Sequence, residues 1–519
     1  MKKIFWLSLV GVLACCILVF IVWQKDLFHK EPFDSNKIFE DLNPDKTTAD
    51  AIIENIYKYP EIIPEFDAEC QETLEWAKGK FSLMESSYFA ATKCLIWEFN
   101  KKLDKIQVRF FPPGIILEFK DNLGIVDNKV IDLLNITKDS DVNYLVQEII
   151  KKEPLTSKHS KTLEKVIQKL ISVVSENISH TFELQKTLKC HELPLTNCAF
   201  NKNGNMFLTG SYDRTCIIWD TESGELLQKL TGHQNVVYTI SFNLPYANKV
   251  GTGSFDHTAK IWNVADGKCD TTFVGHDMEV VCLQFDPMSS QLLTGSMDRS
   301  AKIWNIETSQ EIFEMKHDGE VIACSFNTDG DKILTGSFDH TAKIWDSYNG
   351  NLIADLKEHT EEISACQFNY TGTQVVTASV DKTVKLWDLR KTDKSLHTFS
   401  EHKNEIMDVV FNLSGTKIAT ASSDCTSKIF DVNTLEMNYS LEGHKGEINK
   451  VMFDSRGNNL LTGSSDCTCK IWDVKSGKCL QTLEGHQDEI FSCAFNYDGK
   501  TIITSSKDNT CKIWKAKNN

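Results

Sequence analysis

The chain has 519 residues, which is too long for one ordinary hydrophobic core and indicates several domains. It carries 56 lysines and arginines against 72 aspartates and glutamates, for a formal net charge of −16. Phosphate backbones would repel a chain this acidic, so composition argues against a nucleic-acid-binding protein.

The first segment is an apolar stretch, Ile4–Trp23, which holds twenty consecutive uncharged residues after two lysines. This is long enough to span a bilayer and longer than the apolar core of a usual signal peptide. Tryptophans near both ends suit the two membrane interfaces. Residues 1–23 therefore predict a transmembrane anchor, and membrane association through it, in preference to a cleaved signal peptide. A third interpretation is a spurious extension from a wrong start codon.

The next segment carries no chemical motif. Residues 24–46 are polar and contain two prolines, as linkers do. Apolar residues recur at helical spacing in Thr47–Tyr59 and again from Phe66 to about Lys102. Residues 24–105 are therefore predicted to be a linker and a helical extension of unknown role.

Residues 106–180 predict a small α+β domain. β-branched residues at Ile115–Phe119 and Val130–Leu134 favour two strands around a turn. Apolar residues of Asp141–Lys152 share one helical face, and a proline follows that segment. A second amphipathic helix is predicted from about Ser160 to Glu176.

Residues 181–519 contain eight copies of one pattern, represented by Leu461–Asp473. Aligned on an aromatic residue, the copies are 41–43 residues apart, a period typical of stacked supersecondary units. Each copy has a histidine, a serine, an aspartate two residues later and the aromatic residue six after that. The sets are His191, Ser211, Asp213 and Trp219; His233, Ser254, Asp256 and Trp262; His276, Ser296, Asp298 and Trp304; His317, Ser337, Asp339 and Trp345; His359, Ser379, Asp381 and Trp387; His402, Ser422, Asp424 and Phe430; His444, Ser464, Asp466 and Trp472; and His486, Ser506, Asp508 and Trp514.

These copies resemble the repeats of the WD-repeat family, whose units are four-stranded blades of a β-propeller. The resemblance implies an all-β fold: an eight-bladed WD-repeat β-propeller, here preceded by the small α+β domain and the helical N-terminal extension. It also implies where each residue lies. The histidine precedes strand a, the serine is on strand b, the aspartate is in the b–c turn and the aromatic residue is on strand c.

A histidine, a serine and an aspartate together invite comparison with a catalytic triad. Eight copies at near-constant spacing favour a structural role, in which charge-assisted hydrogen bonds fix the turns of each blade. The sequence has no glycine-rich phosphate loop and no Cys/His cluster with metal-ligand spacing. We therefore predict no catalytic, cofactor-binding or metal-binding residue and no cofactor. Blade six has Phe430 in place of an indole donor, so its turns should be less firmly held.

The 17 cysteines include no Cys-x-x-Cys pair, and five of them fall on predicted strands a. We interpret these five as reduced core thiols of a cytosolic protein: Cys198, Cys282, Cys324, Cys366 and Cys493.

The ring needs a closing strand, because the eighth copy reaches only a strand c and open sheet edges are a liability. Thr181–Leu188 lies where an outer strand precedes the first histidine. We expect this segment to pair with the last strand c and complete blade eight.

Two sets of repeat positions are predicted to bind partners. Apolar residues between the serine and the aspartate of blades one to five suggest a partner site: Tyr212, Phe255, Met297, Phe338 and Val380. Glutamates three residues after the histidine would attract a basic partner segment: Glu279, Glu320, Glu362, Glu405, Glu447 and Glu489. The alternatives are that the apolar side chains fold back onto neighbouring loops and that the carboxylates pair locally with lysines.

A further resemblance covers residues 106–514. Arg109–Phe119, Ile131–Leu134, Gly210–Cys216 and Asp488–Tyr497 are similar to segments of the WD-repeat dynein assembly factors. It implies a non-enzymatic adaptor of the cytoplasm and the cilium or flagellum, which links outer-arm dynein to a subunit of the intraflagellar-transport train. Residues 1–105 depart from this resemblance. We expect a monomer.

Three other functions stay open from sequence. Trp387–Arg390 resembles the Trp-Asp-x-Arg signature of cullin-linked receptors, which would make the chain a substrate receptor of a ubiquitin ligase. The apolar N-terminal stretch would make it a membrane-tethered scaffold. An enzyme that uses the central channel is disfavoured, because no acid or base stands outside the repeat pattern.

Overall fold

The computed structural model describes residues 102–109, 113–120, 126–134, 136, 140–174 and 181–517. The anchor predicted at residues 1–23 lies outside the described residues, as does most of the extension predicted at 24–105. Within the described ranges, no helix is both long and apolar enough to cross a membrane.

A three-stranded antiparallel sheet and two helices precede the repeats, as the α+β prediction requires. Their bounds are β1 (Lys102–Arg109), β2 (Gly114–Lys120), β3 (Val126–Asp132), α1 (Val142–Lys152), a 3-10 turn (Pro154–His159) and α2 (Ser160–Val174). Strand β1 was not predicted, because Asp104 and Lys105 break its apolar alternation. Strand β2 alternates cleanly, and its buried Ile115, Leu117 and Phe119 supply much of the local core.

Arg109, the last residue of β1, connects this domain with the repeats. Its guanidinium forms an ion pair with Asp132 at the end of β3 and lies near Tyr370 in blade five. It also lies near Tyr497 in blade eight. Burial raises the pKa of Tyr497 to about 12, although the nearby guanidinium acts in the opposite direction. Both tyrosines are in loops between strands a and b, so the domain contacts that face of the ring.

The repeats form eight four-stranded antiparallel sheets, each in the order a, b, c, d. Strands a are Leu195–Phe200, Val237–Phe242, Val280–Phe285, Val321–Phe326, Ile363–Phe368, Ile406–Phe411, Ile448–Phe453 and Ile490–Phe495. Strands b are Met206–Ser211, Lys249–Ser254, Gln291–Ser296, Lys332–Ser337, Gln374–Ser379, Lys417–Ser422, Asn459–Ser464 and Thr501–Ser506. Strands c are Thr215–Asp220, Thr258–Asn263, Ser300–Asn305, Ala342–Asp346, Val384–Asp388, Thr426–Asp431, Cys469–Asp473 and Cys511–Ala516. Strands d are Leu226–Thr231, Cys269–Val274, Glu311–Lys316, Leu352–Leu356, His397–Phe399, Met437–Glu442, Cys479–Leu483 and, for blade eight, Phe182–Leu188.

Packing between blades closes the ring. Eight clusters of buried apolar side chains each join two successive blades, and one of them joins blade eight to blade one. Strands a of neighbouring blades also contact one another, which makes them the innermost strands. Strands b are buried along most of their length, as in Asn459–Ser464, where only the first residue is partly exposed.

The predicted closing strand is confirmed. Phe182–Leu188 pairs antiparallel with Cys511–Ala516, and Leu188 lies opposite Cys511. Gln481 in blade seven holds the start of this strand, because its amide accepts from the N–H of Phe182 at 2.7 Å and donates to the carbonyl of Phe182 at 2.6 Å. The fold is therefore the predicted eight-bladed propeller. All 13 cysteines of the described residues are free thiols.

Candidate protein-interaction face and the repeated hydrogen-bond sets

The b–c turn positions the aspartate of each repeat. In blade seven the N–H of Asp466 donates to Oγ of Ser464 at 3.1 Å, and the N–H of Thr468 donates to the Asp466 carboxylate at 3.0 Å. The residue between them, Cys467, has a φ of 66°. Left-handed backbone at this point tightens the turn and aims the carboxylate inward.

A chain of hydrogen bonds runs from that carboxylate through the blade. Asp466 Oδ2 lies 2.8 Å from Nδ1 of His444, whose Nε2 lies 2.8 Å from Oγ1 of Thr462. The indole of Trp472 donates to the same Oγ1 at 2.9 Å. Because a carboxylate only accepts hydrogen bonds, Nδ1 of His444 carries a proton and donates to Asp466.

The threonine at the centre of this chain was missed in the sequence. It stands two residues before the serine in every copy, so its recurrence was the available signal. The eight residues are Thr209, Thr252, Thr294, Thr335, Thr377, Thr420, Thr462 and Thr504. Histidine Nδ1–aspartate distances are 2.7–2.9 Å, histidine Nε2–threonine distances are 2.6–2.8 Å, and the seven indoles donate at 2.8–3.1 Å.

The serine has a different role from the other members of each set. In blade seven, Ser464 Oγ donates to the carbonyl of Gly446 at 3.1 Å and does not bond the histidine. Both nitrogens of His444 are engaged elsewhere, and Thr462 and Ser464 are fully buried. A triad needs an accessible hydroxyl beside the base. The set therefore has the geometry of a structural hydrogen-bond network that fixes the b–c turn. We call the histidine, threonine, aspartate and aromatic residue of each blade its lock.

Blade six, where Phe430 replaces the indole, shows how the lock changes. The backbone N–H of Lys428 donates to Oγ1 of Thr420 at 3.2 Å in place of the indole. Burial lowers the pKa of His402. Burial raises the pKa of Asp424, but hydrogen bonds from Thr426, the backbone and His402 outweigh it and bring that pKa to about 2.

The other seven lock aspartates make the stability of the ring acid-sensitive. Burial raises their pKa values, but hydrogen bonds from the histidine and the turn hydroxyl outweigh it and hold each pKa well below its usual range: Asp213, Asp256, Asp298, Asp339, Asp381, Asp466 and Asp508. A lowered carboxyl pKa adds stability that is complete above the unfolded value of about 4 and is lost as pH falls below it. We expect the free energy of unfolding to fall steeply below about pH 4, measured by urea denaturation. Asp466→Asn should flatten this dependence, and an unchanged stability at pH 3 would contradict it.

The predicted apolar residues lie beside the b–c turns. Tyr212 and Phe338 are exposed, by 39% and 38%, which leaves their rings available to a partner. Phe255 folds back in part, because its ring stacks on Tyr238 with centroids 5.2 Å apart. Met297 and Val380 are half-buried. Blades one and four therefore offer the most accessible apolar surface of this set.

The glutamates adjoin these residues through a repeated backbone contact. The carbonyl of Glu320 accepts from the N–H of Phe338 at 2.9 Å, and that of Glu362 accepts from Val380 at 2.9 Å. The same contact joins Glu279 to Met297, whereas in blades six to eight the glutamate carbonyls accept from polar residues at the equivalent position: Ser423, Ser465 and Lys507. The Glu489 carboxylate has a lysine partner, Lys507, at 3.4 Å. Among the described residues, the other five carboxylates form no ion pair of this kind. We name this surface, formed by the five apolar residues and six glutamates, the turn face.

Arg390 of the Trp-Asp-x-Arg motif lies away from the turn face, in the turn between strands c and d. Its side chain is 82% exposed and donates to Asp388 at 2.7 and 3.0 Å. The hydrogen bonds from Arg390 lower the pKa of Asp388 to about 2.

Comparison with curated proteins finds several relatives that are named dynein assembly factors. "Dynein assembly factor with WD repeat domains 1" of Homo sapiens is 57% identical over 190 residues, and the protein of that name from Danio rerio is 56% identical over 190 residues. These residues are 36% of this chain and 46% of each relative, so the chain spans less than half the length of the relatives it matches.

Among solved structures, the crystal structure of the computationally designed Ika8 protein is similar, with a TM-score of 0.58 and 29% identity. The match covers 63% of this chain and 98% of that chain. The family model for the WD domain, G-beta repeat, matches eight consecutive segments: 182–220, 224–263, 267–305, 309–346, 350–388, 393–431, 435–473 and 477–515. Each matched segment contains the outer strand of one blade and strands a to c of the next, and with eight such segments the chain belongs to the WD-repeat family.

Proposed function

We propose that this chain is a non-enzymatic scaffold for dynein assembly, which links outer-arm axonemal dynein to a subunit of the intraflagellar-transport train. The support is its similarity to relatives named dynein assembly factors, together with the eight-bladed ring. Propellers of this kind offer a rigid frame with loops on two faces. The proposed locations are the cytoplasm and the cilium or flagellum.

The observation that carries the binding part of the proposal is the composition of the turn face. Exposed aromatic residues, Tyr212 and Phe338, stand on the same face as six glutamates. A partner segment with basic residues around an apolar anchor would complement both features, since apolar anchors supply affinity and charges supply the rate of encounter.

Co-purification from ciliated cells tests this proposal. Tyr212→Ser combined with Phe338→Ser should reduce recovery of dynein and transport-train subunits. The matched control is Tyr246→Ser combined with Met288→Ser, because those side chains are 64% and 73% exposed in loops between strands a and b, on the opposite face. Equal losses in both variants would contradict a role for the turn face. Recovery of a cullin adaptor subunit that depends on Arg390 would favour a ligase receptor.

Charge reversal should change the rate of partner association. Glu362→Lys, Glu405→Lys and Glu447→Lys together remove half of the acidic set, and loss of electrostatic steering should slow association about tenfold at low salt. The difference should shrink at high salt, where charges are screened. Surface plasmon resonance with the co-purified partner measures both rates.

The control reverses three exposed acidic residues away from the turn face: Asp270, Glu307 and Glu436. It makes the same change in net charge, so an equal slowing by both triple variants would show a general charge effect and contradict local steering.

A further inference from the structure

The junctions between blades bring together residues that are far apart in sequence. Each b–c turn has a left-handed residue between its aspartate and the following threonine or serine. At two junctions this residue lies beside the loop that follows the histidine of the next blade. At the junction of blades eight and one, for example, Asn509 donates from its side-chain amide to the carbonyl of Glu192 at 2.9 Å.

At the junction of blades four and five, this arrangement collects three side chains with metal-ligating atoms. His340 is the left-handed turn residue of blade four, with a φ of 68°. Glu361 and Glu362 follow the lock histidine of blade five. One imidazole nitrogen and one oxygen from each carboxylate all lie within 4.8 Å of one another. His340 and Glu362 are half-buried, and Glu361 is exposed.

These three side chains have no other polar partner among the described residues. Among the described residues, none of their side-chain atoms forms a hydrogen bond or an ion pair. Their backbones, by contrast, are held in place. The N–H of Val380 donates to the carbonyl of Glu362 at 2.9 Å, and Ser379 Oγ donates to the carbonyl of Glu361 at 3.1 Å. Two carboxylates therefore converge on an imidazole, and among the described residues neither carboxylate has an ion-pair partner.

Other junctions do not repeat the combination. In blade two the turn residue is also a histidine, His257, but the positions equivalent to the two glutamates are Met278 and Glu279. At the junction of blades seven and eight two carboxylates recur, yet Asp488 accepts from the N–H of Glu489 at 2.9 Å and Glu489 pairs with Lys507. Repeat architecture alone therefore does not account for the cluster.

We propose that His340, Glu361 and Glu362 form a binding site for a divalent transition-metal ion of the Zn²⁺ class across the junction of blades four and five. One imidazole and two carboxylates suit such an ion, and water would fill the remaining positions. Its charge would offset the two carboxylates. Since Glu362 belongs to the turn face and Phe338 stands two residues before His340, the ion would tie two blades together beside that face.

Titration of the full chain with Co²⁺ after treatment with a chelator tests the proposal. Co²⁺ reports its own ligands, because thiolate ligands give intense near-ultraviolet absorption that an imidazole and carboxylates do not. This separates the site from the many free cysteines. We expect one Co²⁺ per chain without the thiolate signal. His340→Ala and the pair Glu361→Gln with Glu362→Gln should each weaken this binding by more than about tenfold, the loss that even outer-shell changes can cause.

The matched control is His257→Ala, which removes the histidine from the equivalent turn of blade two and should leave Co²⁺ binding unchanged. Thermal unfolding in the presence of chelator shows that each variant is folded, and added Zn²⁺ should raise the unfolding temperature of the unmodified chain more than that of the glutamine pair. Equal Co²⁺ binding by all variants, a thiolate spectrum for the bound ion, or no binding by the unmodified chain would each overturn the proposal.

Discussion

Deletion of Phe182–Leu188 is expected to abolish the cooperative unfolding of the propeller. The segment is the outer strand of blade eight, and its loss would leave Cys511–Ala516 as an open edge. Phe182 and Leu188 are both buried in the clusters that join blade eight to its neighbours. Burying such side chains is worth about 1.5–3 kcal/mol each, so about 3–6 kcal/mol is lost before any ladder hydrogen bond is counted. This is comparable with the 5–15 kcal/mol stability of a typical domain.

Circular dichroism during thermal unfolding measures the effect, and size-exclusion chromatography detects association through the open edge. Phe182→Ala with Leu188→Ala should reproduce much of the loss while the chain length is kept. Glu183→Ala with Gln185→Ala changes two exposed positions of the same strand and should have little effect. If the deletion variant unfolded at the temperature of the unmodified chain, the segment would not close the ring.

Thr462→Val is expected to be the most damaging single change within a lock. Valine keeps the approximate shape of threonine but offers no hydroxyl to Nε2 of His444 or to the indole of Trp472. Both groups would stay buried without a partner, at a cost of about 1–3 kcal/mol each and about 2–6 kcal/mol together. The urea concentration at the midpoint of unfolding should fall accordingly.

Thr462→Ser is the control for this change at the same position. Serine retains the hydroxyl and loses one methyl group, which is worth about 0.8 kcal/mol. The valine variant should therefore be the less stable of the two. Equal midpoints for Thr462→Val and Thr462→Ser would show that the shared hydroxyl contributes nothing measurable to the lock.

Much of the fold was predictable because equivalent positions in the eight copies mark equivalent strands and turns. The constant spacing of the aromatic residues gave eight units, and comparison with the start of the later units indicated that Thr181–Leu188 would act as an outer strand. Strand β1 escaped prediction, because its charged residues mask the alternation and its pairing partner β2 is supplied from outside the segment.

The residues of the candidate site were predictable only where the interacting residues all lie within one repeat. The histidine, aspartate and tryptophan stand out by residue type, but Thr462 is a common strand residue, and its central position follows from three-dimensional contacts. Contacts between blades were beyond prediction for a related reason. Neither the convergence of His340 with Glu361 nor the approach of Arg109 to Tyr370 has a local sequence pattern, because each depends on ring closure or on docking of the α+β domain.

Cross-linking of the closing strand tests the closed ring most directly. Thr187 and Lys512 lie opposite each other in the antiparallel pair, and the lysine donates to the threonine hydroxyl at 2.9 Å. Directly opposite residues have Cα atoms about 4.5–5.5 Å apart, which suits a disulfide. Mass spectrometry after mild oxidation should therefore identify an intramolecular disulfide between the introduced cysteines of Thr187→Cys with Lys512→Cys. Glu183→Cys with Lys512→Cys, displaced by four residues or about 13 Å along the strand, should give none. Free thiols at positions 187 and 512, or disulfides that join two separate chains, would contradict closure by this strand.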